Sequence, residues 1–183
     1  MSTFLGFDIG TSSIKALLVD EKQNIVAEAN IPVSISRPYP LWSEQDPEEW
    51  WQACLAAVAS LRQTSPSGFQ QLKAIGLSGQ QHGAVFLDGE GRVLRPAILW
   101  NDGRSGLEGR ELGASVPNFL ARASNLPMAG FTAPKVLWVR KHEPEVFKAT
   151  RKVLLPKDYI RFRLSGAYVA EMSDAGGTLW HDV

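Results

Sequence analysis

Two apolar runs joined by a short polar turn, all within the first twenty residues, constrain this chain more than any other feature. Residues 4–7 and 14–19 are rich in strand formers, and Asp8-Ile9-Gly10-Thr11-Ser12-Ser13-Ile14-Lys15 runs between and into them. Such a pattern predicts two antiparallel strands closed by a tight turn. Gly10 permits a backbone conformation or approach that a Cβ would hinder. Thr11, Ser12 and Ser13 set hydroxyls beside the turn's N–H groups, a concavity suited to phosphate oxygens. Asp8, ending the first strand, is a candidate to hold a hydrated Mg²⁺ ion through its carboxylate, and Lys15 adds a positive charge within reach. The competing reading is an ordinary hairpin with a Gly/Ser/Thr loop. A Walker P-loop is excluded, because G-x-x-x-x-G-K-[ST] is absent and the turn leads into a strand.

At 183 residues the chain is long enough for one sizeable core or for one domain of a larger protein. Its 19 Lys+Arg balance 19 Asp+Glu, so no net charge draws it to nucleic acid or a membrane surface. One cysteine, Cys54, rules out an internal disulfide and multi-cysteine metal sites, and reads as a small buried hydrophobe. No basic-then-apolar leader and no run of membrane-spanning length is seen, which makes a reducing cytoplasm the expected location.

Along the chain, strands are expected at 4–9, 14–19 and 25–33, followed by a loop over 34–45 that Pro38 and Pro40 keep irregular. Asp46-Pro47-Glu48-Glu49 starts a helix, with Trp50, Trp51, Cys54, Leu55, Val58 and Leu61 as its buried face. Residues 72–77 form a fourth strand, which the helical connection allows to lie parallel to the first. It discharges into Ser78-Gly79-Gln80-Gln81-His82-Gly83. A hairpin over 84–94 precedes a fifth strand at 97–100 that ends in Asn101-Asp102-Gly103-Arg104. Helices are predicted at 105–112, 118–122, 134–142 and 156–164, with strand-like residues at 153–155 and 168–170. Residues 172–183, with a glycine-rich loop followed by Leu and Trp, read as a chain about to continue.

Two successive core strands thus place polar residues at their C-terminal ends, the edge at which open α/β sheets bind ligands. Gln81 and His82 can donate to and accept from several hydroxyls, as a polyol requires. Trp100 and Arg104 offer an apolar ring and a guanidinium, against the alternative of a turn with an incidental ion pair. His142 sits at a helix C-terminus, where the dipole suffices to explain it. His181 lies too close to the end to interpret, and Ser173 and Asp174 read as loop caps. No metal-ligand cluster and no Ser-His-Asp arrangement is legible.

These stretches together resemble the N-terminal domain of the FGGY carbohydrate kinases, within them the branch acting on D-xylulose. The resemblance is carried by Asp8–Ser12, by Trp42-Ser43-Glu44-Gln45-Asp46-Pro47-Glu48-Glu49-Trp50-Trp51 and by Gly79-Gln80-Gln81-His82-Gly83. It continues through residues 95–104, 130–138, 154–159 and 173–178, covering the chain in order. It implies an α/β, ribonuclease-H-like, actin-like ATPase domain. The expected sheet is mixed and five-stranded, in the order 3-2-1-4-5, flanked by helices. The implied activity is ATP-dependent phosphorylation of D-xylulose to D-xylulose 5-phosphate, with another sugar or polyol (ribulose, gluconate, glycerol) or an actin- or Hsp70-like nucleotide-binding module as alternatives. By position, Asp8 would act on Mg²⁺ and the transferred phosphoryl group, and Thr11, Ser12, Ser13 and Lys15 would contact the ATP phosphates. Gln81 and His82 would hold the ketose, with Trp100 and Arg104 nearby. Gln81 departs from the methionine common at that position in bacterial members. The implied partners are the sugar and ATP, with no nucleic acid and no membrane, and a homodimer is left open. The family's catalytic-base aspartate and its second, ATP-binding domain are expected beyond Val183, so residues 1–183 are expected to be an incomplete N-terminal, sugar-binding domain that is inactive alone.

Overall fold

A computed structural model describes residues 2–180 of the chain. In order, the elements are β1 (Thr3–Ile9), β2 (Ser13–Asp20), β3 (Ile25–Pro32), β4 (Glu44–Gln45), α1 (Pro47–Thr64), α2 (Pro66–Gln70), β5 (Leu72–Gly79), β6 (Val85–Leu87) and β7 (Ala97–Ile98). They continue as α3 (Gly106–Ser115), α4 (Phe119–Ala123), α5 (Thr132–His142), α6 (Pro144–Ala149), β8 (Lys152–Leu154), α7 (Pro156–Ser165) and α8 (Met172–Ala175), then a 3₁₀ turn at Gly176–Thr178. The chain divides into two compact units, one from Met1–Ile35 and Glu48–Gln80, the other from Ser36–Pro47 and Gln81–Val183.

The first unit is built on a four-stranded sheet in the order β3-β2-β1-β5. β1 runs antiparallel to β2 with Asp8 opposite Lys15, and parallel to β5 with Asp8 beside Ser78. Strict alternation along β1 and β2 buries Leu5, Phe7, Ile9, Ile14, Ala16 and Leu18 and turns Phe4, Gly6, Asp8, Lys15 and Leu17 outward. α1 contributes Trp50, Ala53, Cys54, Ala57 and Leu61 to the buried set, while Leu55, expected inside, is 44% exposed. The helical stripe therefore passes through the alanines and leaves Leu55 on the solvent side. Burial pushes the Cys54 thiol up to about 12, consistent with a packing role.

In the second unit β4 pairs with β7 and β6 with β8, both antiparallel. Ala84, Phe86, Ile98, Trp138 and Val139 form one apolar cluster, and Phe119, Ala123, Phe131, Ala133 and Leu179 a second. The expected fifth strand of the main sheet is here a correction. Residues 97–100 shrink to the two-residue β7, whose backbone bonds go elsewhere. Ile98 exchanges N–H and C=O with Ala84 (3.2 and 2.9 Å), and Leu99 N donates to Ser43 O at 3.0 Å. With its donors and acceptors taken there, and Pro96 unable to donate, this segment joins β4 and Ala84 and not β5. The strand-like residues 168–170 carry no ladder either, and Tyr168 stacks on Phe162 at 4.4 Å.

Candidate functional site

The turn between β1 and β2 needs glycine at its first position. Gly10 N donates to Ser13 O at 3.1 Å, and a Cβ on Gly10 would lie 2.7 Å from that same oxygen. The neighbouring strand end is equally tight: Gln80 N donates to Ile9 O at 2.9 Å, and a Cβ on Gly79 would meet the Ile9 Cβ at 2.8 Å. Thr11 Oγ1 donates to Gln80 Oε1 at 3.2 Å, tying the turn to β5. Asp8, Ser12 and Lys15 are exposed, with Thr11 and Ser13 half-buried. All five residues expected at the phosphate turn are thus adjacent. This donor set suits Mg²⁺ in the mode that uses one carboxylate, water and phosphate oxygens. Among the described residues no group of three His, Cys, Asp or Glu could hold a metal in an all-protein cage.

In the second unit, Gln81 and His82 lead into β6. Gln81 is exposed, and His82 takes a left-handed backbone with φ 59°. Its ring lies against Phe131, centroids 4.5 Å apart, and against Gly177, where any Cβ would collide with the imidazole. The His82 carbonyl accepts from Thr132 Oγ1 at 3.2 Å and from Lys135 Nζ at 2.6 Å. Lys135 Nζ also donates to Gly130 O at 2.7 Å. Burial, then the Lys135 charge, lowers the His82 pKa below its usual value, so a neutral imidazole able both to donate and to accept prevails at pH 7.

Trp100 stands at the end of the β7 segment, 43% exposed. Arg104 lies elsewhere: its side chain is 1% exposed and bound to Asp102 (2.7 Å) and Glu44 (2.8 Å), with the guanidinium 3.5 Å above the Trp42 ring. Glu44 also accepts from Arg95, and Arg95 pairs with Glu143 at 3.2 Å. Gln81 and Trp100 are therefore open to solvent and His82 partly so, whereas Arg104 belongs to a buried ionic network. His142 stacks on Trp138 and lies 3.3 Å from Glu108. The cap at α8 is Glu171, which accepts from the Ser173 and Asp174 amides, while Asp174 pairs with Lys157 at 2.6 Å. His181 lies outside the described residues. Sequence reasoning missed Lys135 as a member of the His82 loop. The available signal was a lysine at the apolar start of a helix, where a cation opposes the dipole.

The sequence pattern of the FGGY family of carbohydrate kinases, N-terminal domain, matches residues 3–183. The chain belongs to the FGGY family of carbohydrate kinases. It is 52% identical to the xylulose kinase of Escherichia coli (strain K12) over 98% of its own length and 37% of that protein. A crystal structure of a xyloylose kinase from Brucella ovis superposes with a TM-score of 0.96 at 53% identity, covering 98% of this chain and 37% of that one. The xylulose kinase from Rhodospirillum rubrum gives 0.95 at 37% identity over 99% of this chain and 38% of that one. The actin-like ATPase fold follows from these likenesses, and the FGGY chain described here spans little more than a third of the length of the relatives it matches.

Proposed function

We propose that this FGGY domain supplies the sugar loop and the first phosphate turn of an ATP-dependent D-xylulose kinase, which transfers the terminal phosphoryl group of ATP to the sugar's terminal hydroxyl, giving D-xylulose 5-phosphate. The observation that carries the reading is the unbroken likeness to xylulose kinases along 98% of the chain. Gln81 and the neutral His82 are the hydroxyl-binding groups, with the Trp100 ring as an apolar wall. Asp8 and the turn from Gly10 to Ser13, with Lys15, receive phosphate oxygens and a Mg²⁺ ion. When bound, that ion offsets charge on the phosphoryl group, as phosphoryl transfer requires. A cytoplasmic location suits the lone buried thiol.

A base must still accept the sugar's hydroxyl proton, and Asp174, the carboxylate whose charge His82 senses, is already engaged. Asp102 is held by Arg104, and Asp174 by Lys157. The 183-residue chain is therefore expected to bind D-xylulose but not to turn it over, the base coming from parts that the longer relatives carry. Calorimetric titration of the chain with D-xylulose, ribulose, gluconate and glycerol is expected to show saturable binding strongest for D-xylulose. A coupled assay is expected to detect no D-xylulose-dependent ADP release. Preference for another sugar would overturn the substrate, and ADP release at an enzymatic rate would overturn the need for a second part.

A further inference from the structure

Lys135 is 0% exposed in the first turn of α5, a poor place for a cation both by burial and by helix polarity. Among the described residues it forms no ion pair; the charges it senses are Asp102 and Arg104 at longer range. Its ammonium is instead spent on two backbone carbonyls, those of His82 and Gly130. A second donor from the same helix start, Thr132, reaches the His82 carbonyl as well. That carbonyl belongs to a non-glycine residue in the left-handed region, a strained conformation that persists only where surroundings over-determine it. Turning the 82–83 peptide out of this conformation would strip the buried ammonium of one of its two close acceptors. Below about pH 7, where burial leaves Lys135 protonated, these are charge-assisted bonds, about twice as strong as neutral ones.

We infer that Lys135 is a positioning residue for the sugar loop: with Thr132 it clamps the His82 carbonyl, locks the left-handed backbone, and thereby holds the imidazole between Phe131 and Gly177. Lys135 touches no substrate. It acts through His82, and its consequence for sugar binding rests on the role proposed above for that histidine. A lysine suits the position because its long side chain reaches from α5 to the His82 carbonyl, which meets no backbone donor among the described residues.

The test uses the uniformly labelled 183-residue chain, as wild type, Lys135→Met and Thr132→Val. In the wild type, His82 is expected to show the strong intraresidue Hα–HN contact of a positive φ and ring shifts displaced by Phe131. In Lys135→Met both signatures are expected to collapse toward ordinary values and the Kd for D-xylulose to rise at least tenfold, with the Gly10–Ser13 amide shifts unmoved. Thr132→Val, losing the weaker donor, is expected to give a two- to fivefold rise, and decides the matter if Lys135→Met does not fold. A folded variant that keeps the wild-type His82 signature overturns the inference, as does a lost signature with unchanged Kd. If the wild type binds no D-xylulose, the substrate reading fails, while the His82 signature still decides whether Lys135 and Thr132 hold the loop.

Discussion

Glu44 joins two buried arginines of the second unit. It accepts from both Arg95 and Arg104, whose side chains are 7% and 1% exposed, while its own is 8% exposed. Arg104 adds two bonds to Asp102 and lies over the Trp42 ring, and Asp102 Oδ2 accepts from Ser43 N at 2.6 Å. Removing one charge from such a set leaves another buried and uncompensated, a loss of about 3–5 kcal/mol. Glu44→Gln is therefore expected to lower the urea midpoint by that free energy at unchanged m-value. A change under about 1 kcal/mol would show that Asp102 and Glu143 alone satisfy the two arginines. Arg104→Lys is expected to cost nearly as much, since an ammonium cannot make the paired bonds or the flat stack. This network also explains why the place of Arg104 is ambiguous in the sequence. Asn101-Asp102-Gly103-Arg104 at a strand end looks alike whether its charges face a ligand or each other. The deciding partner, Glu44, stands sixty positions earlier in chain order. Lys135 was hidden for a related reason: lysine is almost never fully buried, so nothing in the residue type suggests it.

At the scale of elements, the β1–β2 hairpin and its parallel neighbour were legible because their alternation has period two and their turn chemistry is local. The register that sets Asp8 against Lys15 and Ser78 follows from that alternation. β7 was not legible, because a two-residue strand is defined by where its bonds go, and Ala84 and Ser43 are distant in sequence. Glycine separates local from long-range demands within the same sheet. A Cβ on Gly10 would strike the Ser13 carbonyl, whereas one on Gly6 or on its register partner Gly76 would meet nothing within 4 Å. Gly10→Ala is expected to destabilise by about 1–3 kcal/mol, since the obstacle is backbone and cannot swing aside. Gly6→Ala, in a strand interior, is expected to stabilise by about 0.5–1 kcal/mol. Urea denaturation of the two variants checks the pair of signs. Equal effects would mean that the turn accommodates a Cβ by rearranging, and the tightness assigned to the Gly10–Ser13 turn would be lost.

For the whole molecule, Lys135, His82 and Asp158 shape the pH dependence of stability, alongside carboxylates such as Asp20 and Asp88 that hydrogen bonds hold below their usual range. Burial holds Lys135 down at about 7 from an ordinary 10.5. Between those values the unfolded chain keeps a proton that the folded chain has released, so raising the pH across that window favours the fold. His82, also lowered by burial, works in the same sense below its ordinary 6.5: the folded chain resists protonation there, and stability falls as the pH drops. Asp158, raised by burial from 3.8, opposes them on the acid side, because its folded carboxyl holds a proton that the unfolded one has lost. The unfolding midpoint is accordingly expected to rise from pH 6 to pH 8.5, with the Lys135→Met chain losing the part of the slope above pH 7. Asp158→Asn should leave that alkaline slope intact and alter only the acid limb. Thermal melts across this range distinguish the groups, and a flat profile in the unsubstituted chain would mean that Lys135 keeps its proton when folded. In that case the clamp on the His82 carbonyl is an ammonium throughout, and its grip on the His82 loop would not loosen in mildly alkaline solution.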